Sequence, residues 1–385
     1  MNRITSLDLL KGLVMVVMAL DHTRDYFHAP AFLYDPTNPV LTTFPIFFTR
    51  WITHFCAPVF CLLAGISAYL TGRKKSLAEL TGFLFKRGLW LVFIELTIVN
   101  FAWFFDIYFR NNGIAVIGVL GISMMVLAAL IHLPKNVIII FSCVVIFGHN
   151  LLDSFHFPSN FWWSMLHEPA QFKLSENFTF WVDYPVIPWI GVMSLGYVIG
   201  SFFSPNVESL ARKIQLNGIG VTAIIIFFIL RGLNSYGDTT PWTYFASDLQ
   251  TMYSFFNPDK YPPSLLYLLM TLGPALVFIG ISENFRGAVQ EFFSVFGRVP
   301  FFFYVIHLYL IHFMAMIAAE VTGYGWQSKV LSKWLTDSPE LKGFGFPLWS
   351  VFLIWLTVII LMYPLCKKFN TYKMRHKEKW WLSYL

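Results

Sequence analysis

The chain has 385 residues, of which 57% are hydrophobic and only 12% charged, with a formal net charge of +6. A soluble domain carries about 25% charged residues, so this composition excludes a solvated globule and points to an all-α, polytopic transmembrane bundle. The 27 Lys and Arg residues are dispersed or sit at predicted helix ends, which excludes a nucleic-acid partner and leaves membrane topology as their explanation.

A helix needs roughly 20 apolar residues to cross a bilayer. About ten spans are predicted, near 6–27, 47–70, 83–108, 114–132, 136–152, 184–203, 216–233, 263–282, 299–319 and 347–366. They form one domain, 1–385, closed by a basic tail at 367–385. The first hydrophobic run ends in Asp21-His22-Thr23-Arg24-Asp25 and not in a small-residue cleavage site, so it reads as a span and not as a signal peptide.

Ionisable groups inside spans are expensive and mark function. On the first helix, His22 and Asp25 lie three residues apart, as do Asp21 and Arg24, and Asp25 and His28. Residues at that spacing are surface neighbours. A carboxylate beside a histidine fixes its tautomer and raises its basicity, as a general base requires. A hydrated helix end is the plainer account of the same cluster. Lys11 and His22 are eleven residues apart, about 20° past three full turns, so both face one way roughly 16 Å apart. One extended ligand along this face would touch both. Lys11 snorkelling to headgroups is the simpler alternative.

The second span places Arg50 and His54 one turn apart, level with His22 and His28, ahead of Pro58 and Gly65, which permit a kink and close packing. The third opens at Lys86-Arg87 and holds Glu95 and Asn100. Glu95 is expected to pair with His54, His307 or His312. In the ninth span, His307 and His312 are five apart and point about 140° from each other, so one pocket does not take both undistorted.

The Lys and Arg asymmetry puts both termini in the cytoplasm, with Arg73-Lys74-Lys75, Lys86-Arg87, Lys135, Arg212-Lys213, Arg286, Arg298 and the tail on that side. The opposite loops, 153–183, 233–262 and 321–346, are long and rich in Trp, Tyr, Pro and Asn, and are expected to cap an outward-facing site. Asn177-Phe178-Thr179 matches a glycosylation acceptor, a weak motif on its own. Cys56, Cys61, Cys143 and Cys366 have no Cys-x-x-Cys spacing and read as small core residues, so neither a metal nor a disulfide framework is expected. There is no Walker loop, dinucleotide fingerprint or nucleophile elbow, and His167-Glu168 lacks a second histidine.

Ser6-Leu7-Asp8-Leu9-Leu10-Lys11-Gly12-Leu13, followed by Met18-Ala19-Leu20-Asp21-His22-Thr23-Arg24-Asp25, resembles the opening of a bacterial membrane protein family related to the catalytic domain of heparan-α-glucosaminide N-acetyltransferase. The stretch from Arg50 to Phe60 with Leu63-Ala64-Gly65, the stretch from Tyr184-Pro185 to Gly191, and Phe296-Gly297-Arg298-Val299-Pro300 to His307 are similar to its later motifs. The Lys11-to-His22 spacing is also similar to a basic-residue, ten-residue, histidine pattern of bacterial transmembrane O-acyltransferases, where the histidine is the base. In the lysosomal member the active histidine falls several residues later, and Tyr26-Phe27-His28-Ala29-Pro30 is the nearest match to it.

The resemblance implies an acyltransferase in the inner membrane that takes acetyl from cytoplasmic acetyl-CoA and passes it to a sugar or glycan outside. The base is then His22 or His28, with His22 preferred because it lies within the helix and shares a face with Lys11. Asp25 or Asp21 would orient it, and Arg50 or His54 would stabilise the oxyanion. Lys11, Arg73, Lys86 and Arg87 are candidates for the CoA phosphates. Besides lipids and acceptor no partner is implied, and the oligomeric state is left open, a homodimer included. A proton-coupled transporter or lipid-linked glycan exporter is the competing reading of the same buried charges.

Overall fold

The computed structural model describes residues 4–157 and 159–383; Tyr384 and Leu385, the last of the basic tail, lie outside the described residues. The helices are α1 (Thr5–Phe27), α2 (Phe44–Thr53), α3 (Cys56–Gly72), α4 (Leu77–Ile94) and α5 (Asn100–Phe104), with a π-helical turn at Glu95–Val99 between the last two. A short strand β1 (Asn111–Ile114) leads into α6 (Val116–Leu130) and α7 (Lys135–Gly148). Then come α8 (Phe161–Leu166), β2 (Ala170–Ser175), β3 (Phe178–Val182), α9 (Val186–Gly200) and α10 (Ser209–Leu233). The chain closes with α11 (Asp248–Phe255), α12 (Leu265–Ile281), α13 (Ala288–Gly297), α14 (Pro300–Val321) and α15 (Leu348–Arg375).

Among the described residues, seven helical segments are long and apolar enough to cross a membrane, and α6 is a shorter apolar helix. The chain is therefore a multi-pass membrane protein built as an all-α bundle. α1 has the length of a span but carries Asp8, Lys11, Asp21, Arg24 and Asp25. It tolerates them because it is wrapped by α13, α14, α15 and the α2–α3 pair and meets little lipid. Close backbone approach makes that wrapping possible. A Cβ on Gly12 would sit 1.8 Å from the Phe293 carbonyl oxygen, and one on Gly297 1.9 Å from that of Asp8. Gly65 and Gly196 bring α3 and α9 together in the same way, as small residues do in membranes.

Several expected boundaries shift. The second span is two helices, broken at His54-Phe55. Pro58 has no N–H to give the His54 carbonyl four residues back, and the Tyr267 hydroxyl donates to that carbonyl instead, at 2.7 Å. The third span starts at Leu77 behind a Ser76–Glu79 capping box and stops at Phe104, not at 108. Its π turn frees the Leu96 carbonyl, which accepts from Asn112 at 3.0 Å. The basic tail does not begin as a coil: α15 continues through Lys367 and Lys368 to Arg375.

The loops that follow α1, α5, α7, α10 and α14 all contribute residues to one cavity and so gather at one end, here the cap end. A three-stranded sheet of order β1-β3-β2, parallel between β1 and β3 and antiparallel between β3 and β2, stiffens this cap. The periodicity did not predict it. The opposite, tail end carries α13 and the C-terminal part of α15.

Candidate active site

The cap end of α1 is held by an ionic cluster. Arg24, fully buried, donates to Asp21 at 2.6 Å and to Asp25 at 2.9 Å. Arg50 of α2 donates from Nη1 to both oxygens of Asp21, at 2.8 and 3.0 Å. Asp21 is thus gripped by two guanidinium groups, and Asp25 by one. Neither carboxylate orients His22, contrary to the expectation from helix spacing. The arginines are stronger partners, because charge-assisted bonds outcompete neutral ones.

His22 pairs instead with His307 of α14, Nδ1 to Nε2 at 2.9 Å. His307 Nδ1 lies 2.8 Å from the Phe303 carbonyl oxygen. The edge of Trp103 packs on the His22 ring at 4.7 Å between centroids. The two α14 histidines diverge as their spacing requires: the ring nitrogens of His312 face the carbonyls of Ala102 and Lys329, at 2.9 and 2.7 Å.

Two cavities flank this cluster. The cap cavity has a volume of about 600 Å³. Asp21, His22, Arg24, Asp25 and Arg50 form its floor, and the loops supply Tyr34, Asn111, Gln171, Trp181, Asp183, Lys260, Tyr261 and Trp334. Burial pushes the Asp183 carboxyl up to about 6, partly offset by Lys260. Aromatic faces beside carboxylate, amide and ammonium groups make a polar chamber.

The second cavity, about 160 Å³, runs towards the tail end and is largely apolar. Lys11 and Arg87 are its cationic residues, with Ser67 and Thr71 also in its lining. Phe60, Val116 and Tyr304 line both cavities, so the two meet at these residues, and the His22 ring faces that of Tyr304 at 6.4 Å between centroids.

The sequence candidates divide accordingly. His22, Asp21, Asp25, Arg24 and Arg50 share the cap cavity; Lys11 and Arg87 share the other. His28 and His54 line neither. The His28 backbone is paired with Phe346, its ring is buried, and burial with Arg24 nearby pulls it down to about 4. His54 is turned against Tyr267 at the α2–α3 break. Arg73 and Lys86 lie exposed outside the lining. Glu95 finds none of the expected histidines: it accepts from the Gly118 N–H at 2.7 Å, at the start of α6, where a helix N-terminus favours an anion. Buried Asn100 lines neither cavity. Sequence reasoning did not single out Asp183, Lys260, Trp103, Trp181 and Trp334. The one available signal was that Asp183 stands immediately before the Tyr184-Pro185 motif.

The family model described as "Heparan-alpha-glucosaminide N-acetyltransferase, catalytic" matches residues 3–245. That segment holds the α1 cluster, Arg50, Arg87 and Asp183; Lys260 and His307 fall beyond it. No curated protein matches the chain.

Proposed function

This chain belongs to the heparan-α-glucosaminide N-acetyltransferase catalytic family, and from that premise we propose that it carries acetyl from acetyl-CoA, entering at the tail end, to a sugar or glycan held in the cap cavity. The observation that carries the proposal is the meeting of the two cavities at Phe60, Val116 and Tyr304, beside His22. A donor and an acceptor can reach one base from opposite ends without either crossing the bilayer. The tail end is the cytoplasmic one in this reading, because the Lys and Arg residues concentrate there, and the membrane is the cell's inner membrane.

Lys11 and Arg87 attract the CoA phosphates, and the apolar walls beyond them suit the pantetheine arm. Arg73 and Lys86, outside the lining, contribute at most to the surrounding field. In the cap cavity, tryptophan and tyrosine faces suit a sugar ring, with Asp183, Asn111, Gln171 and Lys260 available to its hydroxyl or amino groups. His22 takes the proton of the acceptor O–H or N–H. The acceptor atom attacks the thioester carbonyl carbon, the C–S bond breaks, and the CoA thiolate leaves and takes up the proton. Arg50 spends only Nη1 on Asp21, which leaves Nε and Nη2 for the developing oxyanion. His54, turned away from the cavity, is not assigned this role.

The test is transfer from radiolabelled acetyl-CoA by the purified protein to glucose, glucosamine and their methyl glycosides. Label in the sugar supports the proposal. Proton-coupled sugar uptake with no CoA release and no CoA binding overturns it in favour of transport.

A further inference from the structure

We infer that His307 is a positioning residue that fixes the tautomer of His22, so that Nε2 of His22 is the nitrogen offered to the acceptor. This rests on the assignment of His22 as base and adds which atom acts and what holds it.

A carbonyl oxygen only accepts, so the 2.8 Å contact with Phe303 places the proton of His307 on Nδ1. His307 is fully buried, and among the described residues no carboxylate pairs with it. An isolated buried charge is strongly disfavoured, so the ring is neutral and carries that one proton. Nε2 of His307 is therefore a lone pair. It faces Nδ1 of His22 at 2.9 Å, and two lone pairs do not bond. The proton between them belongs to Nδ1 of His22, which leaves Nε2 of His22 unprotonated.

The relay runs Phe303 carbonyl, His307, His22, cavity. His22 lines the cap cavity and His307 does not, so His307 acts through its neighbour and not on the substrate. Near-parallel stacking of Phe303 on His307, at 4.9 Å and 19°, holds that ring in place. In triads of the hydrolase type an aspartate sets the tautomer. Here the aspartates are taken by arginines, and a backbone carbonyl acting through a second histidine does the same work.

The variants His307→Asn and His307→Gln separate this role from packing. Asparagine can keep the bond to Phe303 but is too short to reach His22; glutamine reaches His22 with an amide oxygen. With acetyl-CoA and methyl glucosaminide as substrates, His307→Asn should lower kcat by about 10²-fold or more, with KM for both substrates unchanged. His307→Gln should recover most of that loss. Nitrogen-15 NMR of histidine-labelled protein, with the His22 signal identified by its loss in His22→Ala, should show a protonated Nδ1 and a bare Nε2. Retained kcat in His307→Asn, equal losses in both variants, or a protonated Nε2 would overturn the inference. The base assignment fails separately, by undiminished turnover in His22→Ala. If His307→Asn does not accumulate, the NMR measurement on the unmutated protein decides the tautomer alone.

Discussion

Arg50 of α2 and Asp21 of α1 are joined through both carboxylate oxygens, at 2.8 and 3.0 Å from the single nitrogen Nη1 of Arg50. Asp21 is also the counter-charge of buried Arg24. Removing it takes this partner from Arg50 and leaves buried Arg24 with Asp25 alone, two cations on one carboxylate. Asp21→Ala should cost about 3–5 kcal/mol, read as a lowered thermal midpoint in detergent. Arg50→Lys keeps the charge and a single nitrogen donor, which is all that Asp21 receives from Arg50, and should cost clearly less. A midpoint unchanged in Asp21→Ala would mean the cluster is hydrated and not structural.

The division between His22, Asp25 and His28 predicts unequal losses. His22→Ala should reduce transfer by about 10² to 10⁴-fold while acetyl-CoA still binds. Asp25→Asn should cost less than about tenfold, because Asp25 bonds to Arg24 and not to His22. His28→Ala should leave turnover near normal, since His28 lies outside both cavities. If His28→Ala abolished transfer and His22→Ala did not, the base would move to His28.

Asp183 predicts a pH step in acceptor use. Its carboxyl, raised by burial to about 6, becomes a carboxylate able to accept from sugar O–H or N–H groups only as pH rises through that value. KM for the acceptor should fall between about pH 5 and 7, and Asp183→Asn should remove the step. For folding the sign is opposite. The group holds its proton more tightly folded than unfolded, so the fold loses stability as pH rises from 3.8 through about 6. A pH-independent KM in the unmutated protein would remove Asp183 from the acceptor site.

Lys329 predicts a second pH effect, in the cap. Its ammonium sits over the Phe344 and Phe32 rings at 3.7 and 4.7 Å, with no carboxylate partner among the described residues. Burial lowers it from 10.5 to about 7. The folded state therefore gives up the proton more readily than the unfolded one, and stability should rise as pH increases from about 7 to 10.5. Lys329→Met should stabilise the protein below pH 7 and flatten that rise. Destabilisation by Lys329→Met at neutral pH would show the cation–π contacts outweighing the cost of burial.

Orientation gives the last prediction. Single cysteines at Lys377 and Asp248, probed with an impermeant thiol reagent in intact cells and then in opened membranes, should report opposite faces, Lys377 cytoplasmic. Both on one face would remove the assignment of the tail end to the CoA side.

Much of the bundle was legible because a span announces itself locally, in about twenty apolar residues with charges at the ends. Pro58 allowed a kink in the second span, though not its division into two helices at His54; the divergence of His307 and His312 followed from 100° per residue. The partners were less legible. The spacing of Asp25 and Asp21 suggested a carboxylate beside His22, yet spacing on one helix says only which groups are near, not which competitor arrives from elsewhere. Arg50 and Arg24 took the carboxylates. Glu95 has histidines as its expected partners in the sequence, and in the fold it is met by a backbone N–H of the kind every helix start presents.

The order of residues along the chain sets the elements and the chemistry each carries. Hydrophobic length gave the spans, ionisable residues within α1 and α2 located the polar cluster, and the α1 and α2 motifs pointed to the family. Which groups meet depends on how the helices pack. His22 and His307 are 285 residues apart, and no periodicity links them. The cap cavity is assembled from five loops and a sheet whose residues follow no repeat, so Asp183, Lys260 and Trp334 gain meaning only when their loops converge. Local patterns are set by backbone geometry, which repeats along a chain. Long-range contacts are set by how whole helix faces pack, and that is a property of every residue on both faces at once.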